Sequence, residues 1–143
     1  MAKILVVEDN ALNIKLFCDL LAAHGHEPEG VTDSREAIAA ARAFKPDLVI
    51  TDIQLPHVSG LELMELIRGD EQLRNVPIMA VTAYSGVGDD ERIRAAGAQA
   101  YVSKPISVLR FAEAVEGLLQ AGPINGAAET SKEESSGSES GVK

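Results

Sequence analysis

The 143-residue sequence is poor in cysteine and in long apolar runs, and each scarcity excludes a class of protein. The single cysteine, Cys18, cannot form an intrachain disulfide, and a reducing compartment is the simplest interpretation. Four consecutive aliphatic residues after Lys3 are too few for a signal sequence, and no run approaches the roughly 18 apolar residues of a membrane-spanning helix. We therefore expect a soluble cytoplasmic protein without membrane insertion.

The sequence also lacks any cluster of basic residues. It has 22 Asp and Glu residues against 13 Lys and Arg residues, and its formal net charge is −9. Because binding to nucleic acid depends on clustered Lys and Arg that contact phosphates, this balance argues against nucleic acid as a partner.

Apolar runs alternate with helical patterns five times, which is typical of βαβ units and a parallel sheet. The predicted strands cover residues 3–8, 27–31, 47–52, 77–82 and 99–103. The first helix ends at His24-Gly25, and the second opens at Asp33 with a capping-box spacing to Glu36. The fourth, near 89–96, has few large apolar residues and is expected to pack weakly. In the first helix we expect a wide apolar face formed by Leu12, Leu16, Phe17, Leu20 and Leu21.

The composition changes after residue 121. Residues 122–143 are rich in Gly, Ser and Glu and contain no aromatic residue, so they have almost nothing to bury. We expect one folded domain at 1–121 followed by a disordered tail at 122–143, with no room for a second output domain.

Polar side chains follow four of the predicted strands. Glu8 and Asp9 follow the first, Asp52 ends the third, and Thr82 ends the fourth, while Lys104 follows the fifth. Because parallel strands present their carboxyl ends at one edge of the sheet, these groups are expected to converge there. Carboxylates in contact repel each other by about 4 kcal/mol at an effective dielectric near 20, so the cluster calls for a cation and the lysine. Mg²⁺ with a phosphoryl group would suit it.

The order and content of these segments resemble the receiver domain of two-component response regulators over roughly residues 2–120. The motifs that carry the resemblance are Val-Val-Glu-Asp-Asn from residue 6, Pro-Asp-Leu-Val-Ile-Thr-Asp-Ile-Gln-Leu-Pro from 46, Val-Thr-Ala-Tyr from 81 and Tyr-Val-Ser-Lys-Pro-Ile-Ser from 101. The resemblance implies a doubly wound α/β fold of flavodoxin-like topology, with five parallel strands in the order 2-1-3-4-5 and five helices. Within the family, the chain is most similar to single-domain regulators of bacterial cell division, through Glu8-Asp9-Asn10, Asn13, Lys15-Leu16-Phe17, Ala23-His24-Gly25 and Ser103 to Ser107.

The resemblance assigns a role to each polar group. Asp52 is similar to the acceptor that takes a phosphoryl group from a kinase phosphohistidine. Glu8 and Asp9 are similar to the acids that hold Mg²⁺ together with Asp52 and the backbone carbonyl of Gln54. Lys104 is expected to pair with a phosphoryl oxygen, and its peptide bond to Pro105 is expected to be cis.

The resemblance also implies a signal output. Thr82, a phosphoryl-binding residue, and Tyr101 are similar to the switch pair, in which the hydroxyl moves to the phosphoryl group and the ring turns inward. Gln54 and Tyr84 lie where the family varies and are candidates for tuning hydrolysis of the acyl phosphate. The expected partners are the helical bundle of a histidine kinase or phosphatase, at the first helix and the Pro105-Ile106 loop, and a downstream regulatory protein at the fourth helix, fifth strand and fifth helix.

The same residues also bear on other possible functions. A dinucleotide-binding domain needs a Gly-rich first turn, which the sequence lacks, and Glu8-Asp9 would repel the phosphate of a flavodoxin-like cofactor. A phosphohydrolase with an aspartyl nucleophile is the strongest enzymatic alternative, although Gln54 stands where the dehalogenase type has a second Asp. We favour a signalling module, not an enzyme, whose own chemistry is self-phosphorylation and slow self-hydrolysis.

Overall fold

A computed structural model of the chain describes residues 2–83 and 89–124. Five parallel strands form one sheet in the order β2-β1-β3-β4-β5, which confirms the predicted topology. The strands are β1 (Lys3–Val7), β2 (Glu27–Val31), β3 (Leu48–Asp52), β4 (Ile78–Thr82) and β5 (Ala100–Ser103). The helices are α1 (Ala11–Ala23), α2 (Ala37–Phe44), α3 (Gly60–Arg68), α4 (Asp89–Ala96) and α5 (Val108–Ala121). In the described part of the chain, no helix combines the length and the apolar character that crossing a membrane requires.

The sequence of each strand explains its place in the sheet. All residues of β3 and β4 are buried, because helices cover both faces of these central strands. The edge strand β2 reads Glu-Pro-Glu-Gly-Val, and an edge position tolerates Pro28 because one side of the strand needs no ladder hydrogen bond. Gly30 in the same strand lies under α1, since a Cβ atom there would be 2.5 Å from Cγ2 of Ile14.

Helices pack on both faces of the sheet. One core cluster joins the sheet to α1 and α5, where the rings of Phe17 and Phe111 stack with centroids 5.3 Å apart. The other cluster joins the sheet to α2, α3 and α4 and includes Leu63, Ile67 and Ile93. The fold is therefore doubly wound. The polar residues lie beyond the two cores, at the carboxyl ends of the strands.

The predicted wide apolar face of α1 is wrong at the start of the helix. Phe17 and Leu21 are buried, but Leu12 is 78% exposed and Leu16 is 47% exposed. Leu12 and Leu16 are one turn apart in the same row of the helix, whereas the sheet is covered by the adjacent row that contains Phe17 and Leu21. Two leucines therefore remain on the surface.

The predicted capping box at Asp33 is also wrong. The Asp33 side chain accepts from the backbone of Arg35, and the N–H of Glu36 bonds to the Asp33 carbonyl oxygen. These bonds form a 3-10 turn at Ser34–Glu36, and α2 begins only at Ala37. A capping box is present instead at the start of α3, between Ser59 and Glu62.

The described chain continues three residues past α5. The N–H of Ile124 donates to the carbonyl oxygen of Asn75 at 2.8 Å, so a main-chain contact lies beyond residue 121. The division into a domain at 1–121 and a tail at 122–143 stays a prediction, and residues 125–143 lie outside the described residues.

Candidate metal and phosphoryl site

The register of the sheet brings the acidic residues together. Val7 of β1 pairs with Thr51 of β3, so Glu8 and Asp52, the next residue in each case, come to the same level of the sheet edge. Asp9 follows directly. Glu8 and Asp52 are buried, with 2% and 5% exposure, whereas Asp9 is exposed. Convergence of the strand ends, predicted from the sequence, is therefore present for the acids.

The same register places the hydroxyl and the amine. Asp52 pairs with Val81 of β4, so Thr82 lies one residue further along, and Thr82 in turn pairs with Ser103 of β5. Lys104 follows Ser103, and its N–H donates to the Thr82 carbonyl oxygen at 2.8 Å. The Lys104 side chain thus starts at the level of the strand ends and reaches back to Asp52.

The three acids form a group that fits a divalent cation. One carboxylate oxygen from each of Glu8, Asp9 and Asp52 lies within 4.8 Å of the others. Oxygen Oε1 of Glu8 is buried and has no hydrogen-bond partner in the described part of the chain. A buried acceptor without a donor is costly, and carboxylate oxygens are the ligands that Mg²⁺ prefers. The donor set therefore fits Mg²⁺.

Burial and crowding alter the acidity of Glu8. Its pKa is raised to about 7, first because burial disfavours the carboxylate, and then because the carboxylate of Asp52 lies beside it. The Asn10 N–H, 3.2 Å from Oε2, and the Lys104 ammonium act in the opposite direction without cancelling the shift. In the metal-free protein Glu8 is therefore protonated over part of the neutral pH range.

Two donors orient the carboxylate of Asp52. Lys104 Nζ donates to Oδ2 at 2.8 Å, and the Gln54 N–H donates to Oδ1 at 3.1 Å. Lys104 Nζ also lies 3.8 Å from Oε1 of Glu8. Partial burial lowers the pKa of Lys104, but the hydrogen bond to Asp52 and the charges of the acids outweigh burial, so the pKa is raised overall and the amine stays charged.

The remaining predicted site residues lie around this centre. Thr82 is 1% exposed, and the Lys104–Pro105 peptide bond is cis, as the resemblance implies. Tyr101 is half-buried against the core on the α2–α3–α4 side, with Cζ of Arg94 6.0 Å from the centroid of its ring. Gln54 has an exposed side chain. Tyr84 lies outside the described residues, so its expected role in tuning hydrolysis stays a prediction.

Sequence reasoning missed two residues that shape the segment after Asp52. A Cβ atom on Gly60 would lie 2.1 Å from the Asp52 carbonyl oxygen, so only glycine permits α3 to begin against this strand end. Ser34 is 3% exposed and its hydroxyl bonds to the backbone of residues 56 and 58. The Ser59-Gly60 pair indicates a helix start and could have drawn attention to Gly60. Nothing in the sequence connects Ser34 to a loop more than twenty residues away.

The model of the response regulator receiver domain family matches residues 4–116, and the chain belongs to this family. Its members are signalling proteins of two-component systems, and Mg²⁺ binding is typical of them.

Within the family, the chain is similar to the polar-differentiation response regulator DivK. It is 50% identical to DivK of Brucella anthropi and 51% identical to DivK of Brucella ovis, in each case over 116 residues that cover 81% of this chain and 94% of the relative.

Solved structures agree in fold. Chemotaxis protein CheY4 of Vibrio cholerae superposes with a TM-score of 0.78 at 27% identity, over 82% of this chain and 98% of that chain. The receiver domain of sensor histidine kinase PA1611 of Pseudomonas aeruginosa, described with a magnesium ion coordinated in its active site cleft, gives a TM-score of 0.76 at 30% identity. That likeness covers 83% of this chain and 98% of that chain.

Proposed function

We propose that the chain is a response regulator that accepts a phosphoryl group on Asp52 from the phosphohistidine of a histidine kinase. The observation that carries the proposal is the Asp52 carboxylate itself. It is buried at the edge of the sheet, bonded to Lys104 Nζ at 2.8 Å and grouped with Glu8 and Asp9. A carboxylate nucleophile beside a cation and a metal-binding group suits phosphoryl transfer. The family match favours this signalling role over the phosphohydrolase.

The acids and one backbone carbonyl would hold the metal. Glu8, Asp9 and Asp52 supply carboxylate oxygens, and Gln54 supplies its carbonyl oxygen. When bound, Mg²⁺ offsets negative charge on the nucleophile and on the phosphoryl oxygens. The buried oxygen of Glu8 that lacks a donor supports this assignment.

The chain's own residues then arrange the transfer. An oxygen of Asp52 forms a bond to phosphorus while the phosphorus–nitrogen bond to the kinase imidazole breaks, and its electron pair returns to the nitrogen. Lys104, already on Oδ2, can pass its hydrogen bond to a phosphoryl oxygen. The product is an acyl phosphate that water slowly hydrolyses, with Gln54 and Tyr84 as candidates for tuning the rate.

Thr82 and Tyr101 would carry the signal from the site to the surface. Thr82 is buried at the end of β4, beside the strand that carries Tyr101, whose ring lies between the core and Arg94 of α4. A hydroxyl that moves toward the phosphoryl group frees space into which the ring can turn. Phosphorylation would then change the surface formed by α4, β5 and α5.

The output is contact with other proteins. The kinase or phosphatase bundle would dock at α1 and the Pro105-Ile106 loop, where Leu12 and Leu16 are exposed. A downstream regulator would bind the surface formed by α4, β5 and α5. Because the relatives are named for polar differentiation, we place this signalling in cell-division or polarity control, within the cytoplasm.

Phosphorylation with a small donor tests the central assignment. Acetyl phosphate with Mg²⁺ should add one phosphoryl group per chain, measured by intact-mass spectrometry. Asp52→Asn, or removal of Mg²⁺ with EDTA, should abolish the addition. Glu29→Gln, which removes a carboxylate from the edge strand β2, serves as the matched control and should be labelled like the wild type. Metal-independent labelling of Asp52→Asn would reject the assignment.

A further inference from the structure

The segment between β3 and α3, residues 53–59, directly follows the acceptor and includes Gln54. Its start is tied to the sheet by the Ile53 N–H, which donates to the Val81 carbonyl oxygen at 3.0 Å. Its end is tied by the Gly60 N–H, which donates to the Ile53 carbonyl oxygen at 2.8 Å, and by the capping box that Ser59 forms. These contacts hold the two ends of the segment but not its middle, around His57.

Support for the middle comes from Ser34, in the 3-10 turn before α2. Its hydroxyl donates to the Pro56 carbonyl oxygen at 2.8 Å and accepts from the Val58 N–H at 3.2 Å. The two bonds bracket His57, whose φ of +69° lies in the left-handed region that non-glycine residues seldom occupy. One hydroxyl thus holds both sides of a turn that the backbone does not favour by itself.

Burial protects these two hydrogen bonds from water. Ser34 is 3% exposed, so water has little access to replace the hydroxyl. Removing the oxygen would leave the Pro56 carbonyl and the Val58 N–H without these bonds in a partly buried position. The turn at His57 would then relax, and the backbone three residues earlier, at Gln54, would lose part of its fixed geometry.

We propose that Ser34 is a positioning residue for the metal site, which it serves by fixing the segment that presents the Gln54 carbonyl. This inference rests on the proposed function, because it takes that carbonyl as a ligand of Mg²⁺. Groups that orient the ligands of a metal affect its affinity without touching it. Ser34 is 20 residues from Gln54 in sequence and acts on it through two backbone contacts.

The test is a Mg²⁺ titration of the metal-free full chain, followed by amide NMR shifts. Ser34→Ala should weaken Mg²⁺ binding roughly three- to tenfold. Ser34→Cys keeps the shape of the side chain, with a somewhat larger atom in place of the oxygen, and offers a weak donor and acceptor, so it should fall between the wild type and Ser34→Ala. It also provides a second variant if the alanine variant does not fold.

The matched control is Ser59→Ala, which removes a serine hydroxyl bond at the other end of the same segment. Its melting temperature should fall, while its Mg²⁺ affinity should stay within about twofold of the wild type. If Ser34→Ala lowers the melting temperature and leaves Mg²⁺ affinity unchanged, or if both variants lose affinity equally, the positioning role is wrong.

A second readout needs no metal. Hydrogen exchange of the Gln54 amide in metal-free Ser34→Ala should be several-fold faster than in the wild type, with β3 and α3 unchanged. Unchanged exchange at Gln54 would overturn the inference even if Mg²⁺ affinity fell. If the wild type itself does not bind Mg²⁺, the proposed function fails, and faster exchange at Gln54 would still show that Ser34 positions the segment.

Discussion

Glu8 and Asp9 are neighbours in sequence with opposite environments. Glu8 is buried and its pKa is raised to about 7, whereas Asp9 is exposed. Glu8 lies at the level of Asp52 and is covered by the fold, whereas Asp9 lies one residue further along and is open to solvent, although one carboxylate oxygen of each belongs to the same group. One acid therefore lies inside the site and the other at its mouth. The buried acid therefore makes the site sensitive to pH, and the exposed acid adds charge where a cation enters.

The raised pKa of Glu8 predicts that Mg²⁺ competes with a proton. Since the carboxylate is the ligand, Mg²⁺ binding should be about tenfold weaker at pH 6 than at pH 8 and should level off above the pKa. Glu8→Gln should bind Mg²⁺ weakly and lose most of this pH dependence. Titrations of both proteins at constant ionic strength check it, and equal wild-type affinity at the two pH values would contradict it.

The same shift predicts how the metal-free fold depends on pH. The pKa of Glu8 is higher in the folded chain than the ordinary value of 4.5, so the folded state retains the proton between pH 4.5 and about 7. The contribution of Glu8 to stability is thus complete below pH 4.5 and is lost as the pH rises to about 7. The free energies of unfolding of the wild type and Glu8→Gln can be measured with urea in EDTA. As the pH rises from 4.5 to about 7, the wild type should lose stability relative to the variant.

A substitution at Thr82 is expected to separate phosphorylation from signal output. Thr82→Ala should still accept phosphate at Asp52, because neither the acids nor Lys104 is changed. It should lose most of the affinity difference between the beryllofluoride-loaded and the free protein for its partner, since a ligand shifts an equilibrium only through differential affinity. Thr82→Ser, which keeps the hydroxyl, is the control. Undiminished phosphate dependence in Thr82→Ala would show that the signal leaves the site by another route.

At the scale of elements, α1 and α4 depart from the standard amphipathic pattern in different ways. Helix α1 has large apolar residues in two rows along its surface. Only the row with Phe17 and Leu21 packs against the sheet, so Leu12 and Leu16 face solvent. Helix α4 buries Ile93 and Ala96 and places Arg94 over the ring of Tyr101. Few large side chains hold α4, which suits an element that changes position when the site is modified.

The exposed row of α1 predicts a docking defect without a folding defect. Replacing Leu12 and Leu16 by Ala removes apolar surface that is mostly in water at Leu12 and about half in water at Leu16, so stability should fall by only about 0.5 to 1 kcal/mol per site. Phosphotransfer from a phosphorylated kinase bundle should slow by roughly tenfold, as for the loss of interface anchors. Phosphorylation by acetyl phosphate should not change.

Leu66→Ala is the matched control for this experiment. Leu66 lies in α3, which packs on the opposite face of the sheet, and it is 53% exposed. It should leave kinase transfer at the wild-type rate. An equal loss in Leu66→Ala and the α1 variant would contradict docking at α1.

At the scale of the whole molecule, two hydrophobic cores pack on opposite faces of one sheet, and the site lies at the carboxyl edge of that sheet. The α1–α5 core supports the surface proposed for the kinase, and the α2–α3–α4 core contacts Tyr101. Both cores contact the strands that carry Glu8 and Asp52. Under the proposed function, the same strands would connect the site to both surfaces.

The C-terminal end of the domain gives a prediction for the whole chain. A chain that ends after Ile124 keeps the bond to the Asn75 carbonyl, so it should melt and accept phosphate as the full chain does. A chain that ends after Ala121 loses that one bond and should melt slightly lower, with the same phosphorylation. Melting by circular dichroism checks both. A large drop for the longer truncated chain would show that residues 125–143 contribute to the fold.

The sequence by itself determined the strands, their order along the chain and the polar residues at their ends. These features are local, because the period of the apolar residues and the residue after each run can be read directly, as at Leu48–Asp52. The helix starts at Ser59 and Ser107 were equally readable, since a cap acts within three residues. The polar groups of the site were accordingly predicted together.

Only the tertiary structure decided which surfaces meet. The exposure of Leu12, the raised pKa of Glu8 and the contact of Ser34 with Pro56 all depend on segments that are distant in sequence. Burial is a property of the packed whole, and a pKa shifts only when burial and neighbouring charges act together. The sequence from Asp33 to Glu36 has the spacing of a capping box. In the folded chain the Asp33 side chain accepts from the Arg35 N–H and not from that of Glu36, and the segment forms a 3-10 turn.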